Sequence, residues 1–90
     1  MNKALLCPAL MLVSCATVPA QSAGQCDVAK VRVFVGALGT ADLGRAALRR
    51  SGARTIRWIT PGTAVTMDYR RDRLNIRLDL RNFVTGIDCG

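Results

Sequence analysis

The residues of this chain that could do chemistry are few. Six aspartates supply every acidic side chain, four cysteines supply the thiols, and histidine is absent. Without histidine there is no Ser-His-Asp or Cys-His catalysis, no imidazole metal ligand and no histidine pH sensor. Asp68, Asp72 and Asp79 can be imagined as a carboxylate pair, but nothing around them resembles a catalytic site. The chain reads as a non-enzyme that needs neither metal nor cofactor. Polar groups with a better claim gather around one peptide bond. Thr66 and Asp68 flank Met67, and Arg70, Arg71 and Arg73 follow. An arginine fork can bond a carboxylate or several carbonyl oxygens at once, and Arg73 carries one within reach in sequence of Asp68. Asn75 can both donate and accept.

The elements that position these groups can be read from periodicity. Leu74, Ile76, Leu78 and Leu80 alternate with Asn75, Arg77 and Asp79, which predicts a half-buried strand over 73–80. Arg73 and Asn75 fall on its polar face. A second strand, 53–60, is rich in β-branched residues and stops at Pro61-Gly62; its Trp58 is expected to pack in the core with Ile56. Between them Pro61 to Arg71 is a long connection for so small a domain, and long ordered loops often carry function. Residues 40–50 predict a helix: Thr40 as N-cap, Asp42 in the first turn, Arg45, Arg49 and Arg50 later, Gly52 as C-cap, with Leu43, Ala46 and Ala47 inward. Residues 27–36 fit either a strand or a helical stripe; a short helical turn capped by Asp27 is preferred. Residues 83–88 read as a last short strand.

The N-terminus carries a different message. Lys3 precedes an apolar run from Ala4 to Val13, too short to span a bilayer and of the length of a signal-peptide core. Leu12-Val13-Ser14-Cys15 resembles the bacterial lipobox. That resemblance implies a signal peptide over 1–14, lipidation of Cys15, and a membrane anchor made by acyl chains. Ala16 after the cysteine points to the outer membrane of the cell envelope. The alternative is a secreted or periplasmic soluble protein cut after Ala20. Residues 15–25 read as a flexible tether and 26–90 as the single folded domain. Cys7 leaves with the signal and Cys15 is consumed by lipid, so Cys26 and Cys89 remain. In an exported chain such a pair predicts a disulfide. The chain-entropy model assigns so long a closed loop about 4 kcal/mol, comparable with the whole stability of a core this small.

The 90-residue chain is 50% hydrophobic, has 4% aromatics and carries a formal charge of +7. That hydrophobic content excludes a disordered basic tail, and the few aromatics argue against nucleic-acid stacking. Arg49, Arg50, Arg54 and Arg57 suggest a rival function, a basic envelope lipoprotein that binds an anionic polymer or serves a structural role.

The segment Pro61 to Leu80 resembles the reactive segment of the potato inhibitor I group of serine protease inhibitors. Gly62, Thr63, Val65, Thr66, Met67, Asp68, Tyr69, Arg70, Arg73 and Leu74 match its pattern. A closer resemblance is to peptidase inhibitor family 78, through Cys26-Asp27, Arg49 to Arg54, Pro61 to Arg70, Asp72 to Asn75 and Cys89-Gly90. It spans residues 26–90. It implies an α+β domain, one main helix on a short mixed sheet, with an extended reactive loop between two strands. It further implies Met67-Asp68 as the reactive bond and Gly62, Thr63, Ala64, Val65, Thr66, Tyr69 and Arg70 as the rest of the binding loop. The partner is then a serine protease of subtilisin, chymotrypsin or elastase type, met by a monomer. Potato-type inhibitors carry a second arginine where this chain has Asn75, so the second prop of the loop is expected to be neutral and shorter.

The anchor can be tested alone. Cys15→Ser is expected to remain uncleaved or to leave the membrane fraction, read by mass spectrometry and fractionation. Normal membrane partitioning of that variant would overturn the assignment.

Overall fold

The computed structural model describes residues 25–90. The expected signal peptide, Cys15 lipidation and nearly all of the tether lie outside these residues. The chain begins with two 3-10 turns, Val28–Lys30 and Arg32–Phe34. The Asp27 carboxylate accepts a hydrogen bond from the Ala29 N–H at 3.1 Å and so starts the first turn. Of the alternating valines only Val31 is buried, while Val33 and Val35 are exposed. The helical reading of this stretch therefore holds over the strand reading.

Helix α1, Ala41–Ser51, starts as its sequence predicts: the Thr40 hydroxyl accepts from the Leu43 N–H at 3.0 Å. It ends at Gly52, whose φ of 80° is the left-handed conformation a glycine adopts without strain. The buried row is Leu43, Gly44, Ala47 and Ser51, one turn apart along the axis, and Ala46 is only half-buried. The row rotates toward Gly44 because Trp58 lies on it. A Cβ at Gly44 would sit 2.6 Å from the Trp58 ring. Trp58 is thus sandwiched against the helix beside Ile56 but keeps an open edge, 37% exposed, and is not the fully enclosed core residue expected. Buried Ser51 satisfies itself locally, donating to the Leu48 carbonyl at 3.2 Å and accepting from the Ala53 N–H at 3.2 Å.

The sheet has strands β1 (Thr55–Ile59), β2 (Arg73–Leu78) and β3 (Val84–Cys89) in the order β1-β2-β3. β1 runs parallel to β2, and β3 antiparallel. This is the α+β, mixed-sheet architecture that the resemblance implies. The core is Val31, Leu43, Ala47, Ala53, Leu74, Ile76 and Val84. Strand β2 is shorter than its alternation suggests. The register shifts at Arg77/Leu78, and Leu80 is 88% exposed. A turn interrupts the pattern: the Asp79 carboxylate accepts from the N–H groups of Arg81 (2.8 Å) and Phe83 (2.9 Å), and Asn82 adopts φ 68°. An aspartate that bonds backbone two and four residues on competes with a ladder, and here it wins.

Cys26 and Cys89 form the disulfide, with Cα atoms 5.9 Å apart. It ties the start of the described chain to the end of β3. Replacing both cysteines by alanine is expected to cost about 2–5 kcal/mol, read from the shift in urea midpoint. An unchanged midpoint would remove the disulfide from any role in stability.

Candidate functional site

The long connection from β1 to β2 is the exposed feature of the molecule: every residue from Thr60 to Arg71 is exposed. Its start is a tight turn. The Thr63 N–H donates to the Thr60 carbonyl at 3.0 Å, Gly62 has φ 82°, and the two threonine hydroxyls meet at 2.7 Å. Proline followed by a left-handed glycine is the sequence of a type II turn. Its end is held by Gly90. The Arg70 N–H donates to the Gly90 carbonyl at 3.1 Å, the Gly90 N–H donates to the Arg73 carbonyl at 3.0 Å, and the Tyr69 ring lies against Gly90. Arg70 also pairs with Asp72 through Nε (3.2 Å) and Nη2 (3.3 Å). That contact raises the arginine pKa and lowers the aspartate's.

Between these ends, residues 64–69 make no backbone–backbone hydrogen bond among the described residues. Side chains hold them instead. Arg73 donates from Nη2 to the Asp68 carbonyl at 2.5 Å, from Nη1 to Asp68 Oδ2 at 3.3 Å, and from Nε to the Gly90 carbonyl at 2.9 Å. One guanidinium therefore fixes both the main chain and the side chain of Asp68 to the end of the domain. The other Asp68 oxygen accepts a short hydrogen bond from the Thr66 hydroxyl. The two residues flanking Met67 are thus bonded to each other across it. Met67 itself is 98% exposed and touches none of this scaffold.

The second prop is not where the sequence reading looked. Asn75, expected to brace the loop, makes its hydrogen bonds to Arg57 and Asp88 and none to the loop. Arg57, grouped above with the basic patch, reaches the loop from β1. Its Nη1 donates to Thr66 Oγ1 at 3.3 Å and lies 3.7 Å from Asp68 Oδ1. The signal was present but two-dimensional: Arg57 is the register partner of Asn75 on the neighbouring parallel strand. Arg57 also alternates with Ile56 and Trp58, so it faces away from the helix. Seeing it required knowing that β1 and β2 pair.

Asp68 records the electrostatics. The Thr66 hydrogen bond, then the Arg73 hydrogen bonds, pull its pKa from 3.8 down to about 2. A lowered folded pKa means that the clamp favours the native loop at pH above 3.8 and is lost as pH falls from there toward about 2. The carboxyl 13C resonance of Asp68 is expected to titrate near pH 2 in the wild type. It should move up in Arg73→Ala, and further in Thr66→Ala, whose bond is the larger cause. A wild-type midpoint at the ordinary aspartate value would show that the clamp is not formed.

Among the described residues, no group of three or more acidic, cysteine or histidine side chains could hold a metal ion. Comparison with curated proteins gives no match. Among solved structures, the chain is similar to the elastase inhibitor AFUEI in crystal form II. The two are 27% identical, with a TM-score of 0.56 over 66% of this chain and 81% of that one. A family profile described as the peptidase inhibitor I78 family matches residues 26–90. The matched span takes in both disulfide cysteines, the helix, all three strands and the whole braced loop, and the chain therefore belongs to the peptidase inhibitor I78 family.

Proposed function

We propose that the chain is a substrate-like inhibitor of serine proteases, that Met67-Asp68 is its reactive bond, and that its targets have apolar primary pockets of elastase, chymotrypsin or subtilisin type. The observation that carries this reading is the contrast at Met67: a side chain 98% exposed between two residues bonded to the scaffold. Leaving a methionine in water forgoes its burial energy, and a protease pocket restores it. The similarity to an elastase inhibitor agrees with an apolar pocket.

The mechanism follows from the bracing. A loop ordered before binding loses little conformational entropy on docking, so more of the contact energy appears as affinity. The protease supplies the nucleophile. If it attacks the Met67 carbonyl, the new amine belongs to Asp68, which Arg73 holds by carbonyl and carboxylate. The amine stays beside the acyl-enzyme at high effective concentration, and religation competes with hydrolysis. The inhibitor acts as a monomer and is lipid-anchored at Cys15 in the cell envelope in this reading.

The loop variants separate contact from bracing. Met67→Arg is expected to redirect inhibition toward trypsin-like enzymes, whose pocket carries an aspartate. Met67→Asp is expected to abolish inhibition of apolar-pocket enzymes by burying an unpaired charge. Arg73→Ala should keep the pocket contact yet be cut faster at Met67-Asp68. Inhibition constants and cleavage mapping against elastase, chymotrypsin, subtilisin and trypsin read all three. Equal inhibition by wild type and Met67→Asp would show that the loop is not the site. No inhibition by any form would favour the structural-lipoprotein function.

A further inference from the structure

Arg57 reaches Thr66 and Asp68 from a strand that makes no backbone hydrogen bond to residues 64–69, so something must aim its guanidinium. Its Nε donates to Asn75 Oδ1 at 3.0 Å, and Asn75 Nδ2 donates to Asp88 Oδ1 at 3.0 Å. The other Asp88 oxygen accepts from Arg77. The chain of bonds crosses the sheet from β3 through β2 to β1 and ends on Thr66 and Asp68. Asn75 is 4% exposed, so an alternative partner from bulk water is scarce.

We infer that Asp88 and Asn75 are positioning residues of the loop, acting through Arg57, although neither touches residues 60–72. An asparagine amide has one accepting and one donating end. Turned by 180°, it would point NH2 at a guanidinium that has only donors. Asp88, an obligate acceptor when ionised, sets the choice: it takes the NH2 and leaves the oxygen for Arg57. Removing the Asp88 acceptor leaves the Arg57 bond alone to select the orientation and narrows the energy gap between the two. Arg57 then loses its guide in part of the population, and Thr66 loses the donor that keeps its hydroxyl directed at Asp68. A side chain across the sheet thereby governs how firmly the residues flanking Met67 are held. Arg73 is independent of this route, since it is anchored on the Gly90 carbonyl.

The inference rests on the proposed inhibitory reading for its kinetic consequence but not for its geometry, and the test has one arm for each. The first arm needs no protease. In the oxidised full-length exported protein, the Arg57 Nε–H is expected to give a resolved, slowly exchanging 15N signal. That signal should be lost to fast exchange in Asp88→Ala and Asn75→Leu, and kept in Asp88→Asn, whose amide oxygen still accepts. The second arm follows cleavage at Met67-Asp68 by elastase. Asp88→Ala is expected to be cut about tenfold faster, the scale of losing one charge-assisted hydrogen bond, with initial binding little changed. Asp88→Asn should stay near wild type. Thermal midpoints of all variants identify any that lose the fold, and Asp88→Asn keeps the comparison open if Asp88→Ala does. An Arg57 signal unchanged in Asp88→Ala overturns the relay. If that signal is lost while inhibition is absent even in wild type, the relay stands and the inhibitory reading fails.

Discussion

Arg73 is the joint on which the rest of the molecule depends. An extended segment offered to a protease must leave its own backbone groups free to pair with the enzyme, so it cannot be secured by a ladder. Residues 64–69 have this character: among the described residues no backbone hydrogen bond holds them, and side chains reach up from the sheet instead. A guanidinium suits the task because its donors are fixed in a plane and never deprotonate, so one side chain can bind three oxygens in a set geometry. A lysine would offer a point charge on a flexible stem. Arg73 spends its donors on Asp68 twice and on Gly90 once, coupling the loop to the end of β3.

That coupling explains why so small a domain needs its disulfide where it is. Three supports of the loop end within three consecutive residues: Asp88 through Asn75, Cys89 through the bridge to Cys26, and Gly90 through Arg73 and the Arg70 N–H. β3 is an edge strand of the sheet. The bridge fixes it beside the residues that hold the loop, and the Cys26 N–H adds a bond to the Arg71 carbonyl at 3.0 Å.

The sequence made local features legible and pairings less so. The cap at Thr40, the left-handed Gly52 and the strand from Arg73 are each decided within a few residues, and all appear as expected, as does the Cys26–Cys89 disulfide. Arg73 was readable because it sits close in sequence to the residue it holds. Arg57 was not, because its role depends on β1 lying parallel beside β2, a fact about the sheet rather than about any window of sequence. Leu80 departs for a local reason: periodicity continues past Leu78, but the side-chain bonds of Asp79 end the strand. Trp58 packs with Ile56 against the helix as expected, where Gly44 lets it approach, but is 37% exposed rather than part of the buried core.

Where the resemblance to potato-type inhibitors leads one to expect a second arginine on β2, this chain has Asn75, and the second guanidinium at the loop comes from Arg57 on β1. Two arginines side by side on β2, at 73 and 75, would place two like charges on one face of a single strand. With the second charge on β1, Arg57 and Arg73 each face a different oxygen of Asp68, and position 75 is a neutral amide, bonded to Arg57 on one side and to an acid on the other. Asp88 offsets the positive charge of Arg77 as well as orienting the amide. In a chain of net charge +7 with only six acids, carboxylates are the scarce resource, and two of them, Asp68 and Asp88, sit at the two ends of this network. The polar face of the sheet is thus less a solvated surface than the back of the loop. Its charges are arranged around Asp68, and the segment they leave exposed is the one around Met67, the side chain that the proposed function places in a partner's pocket.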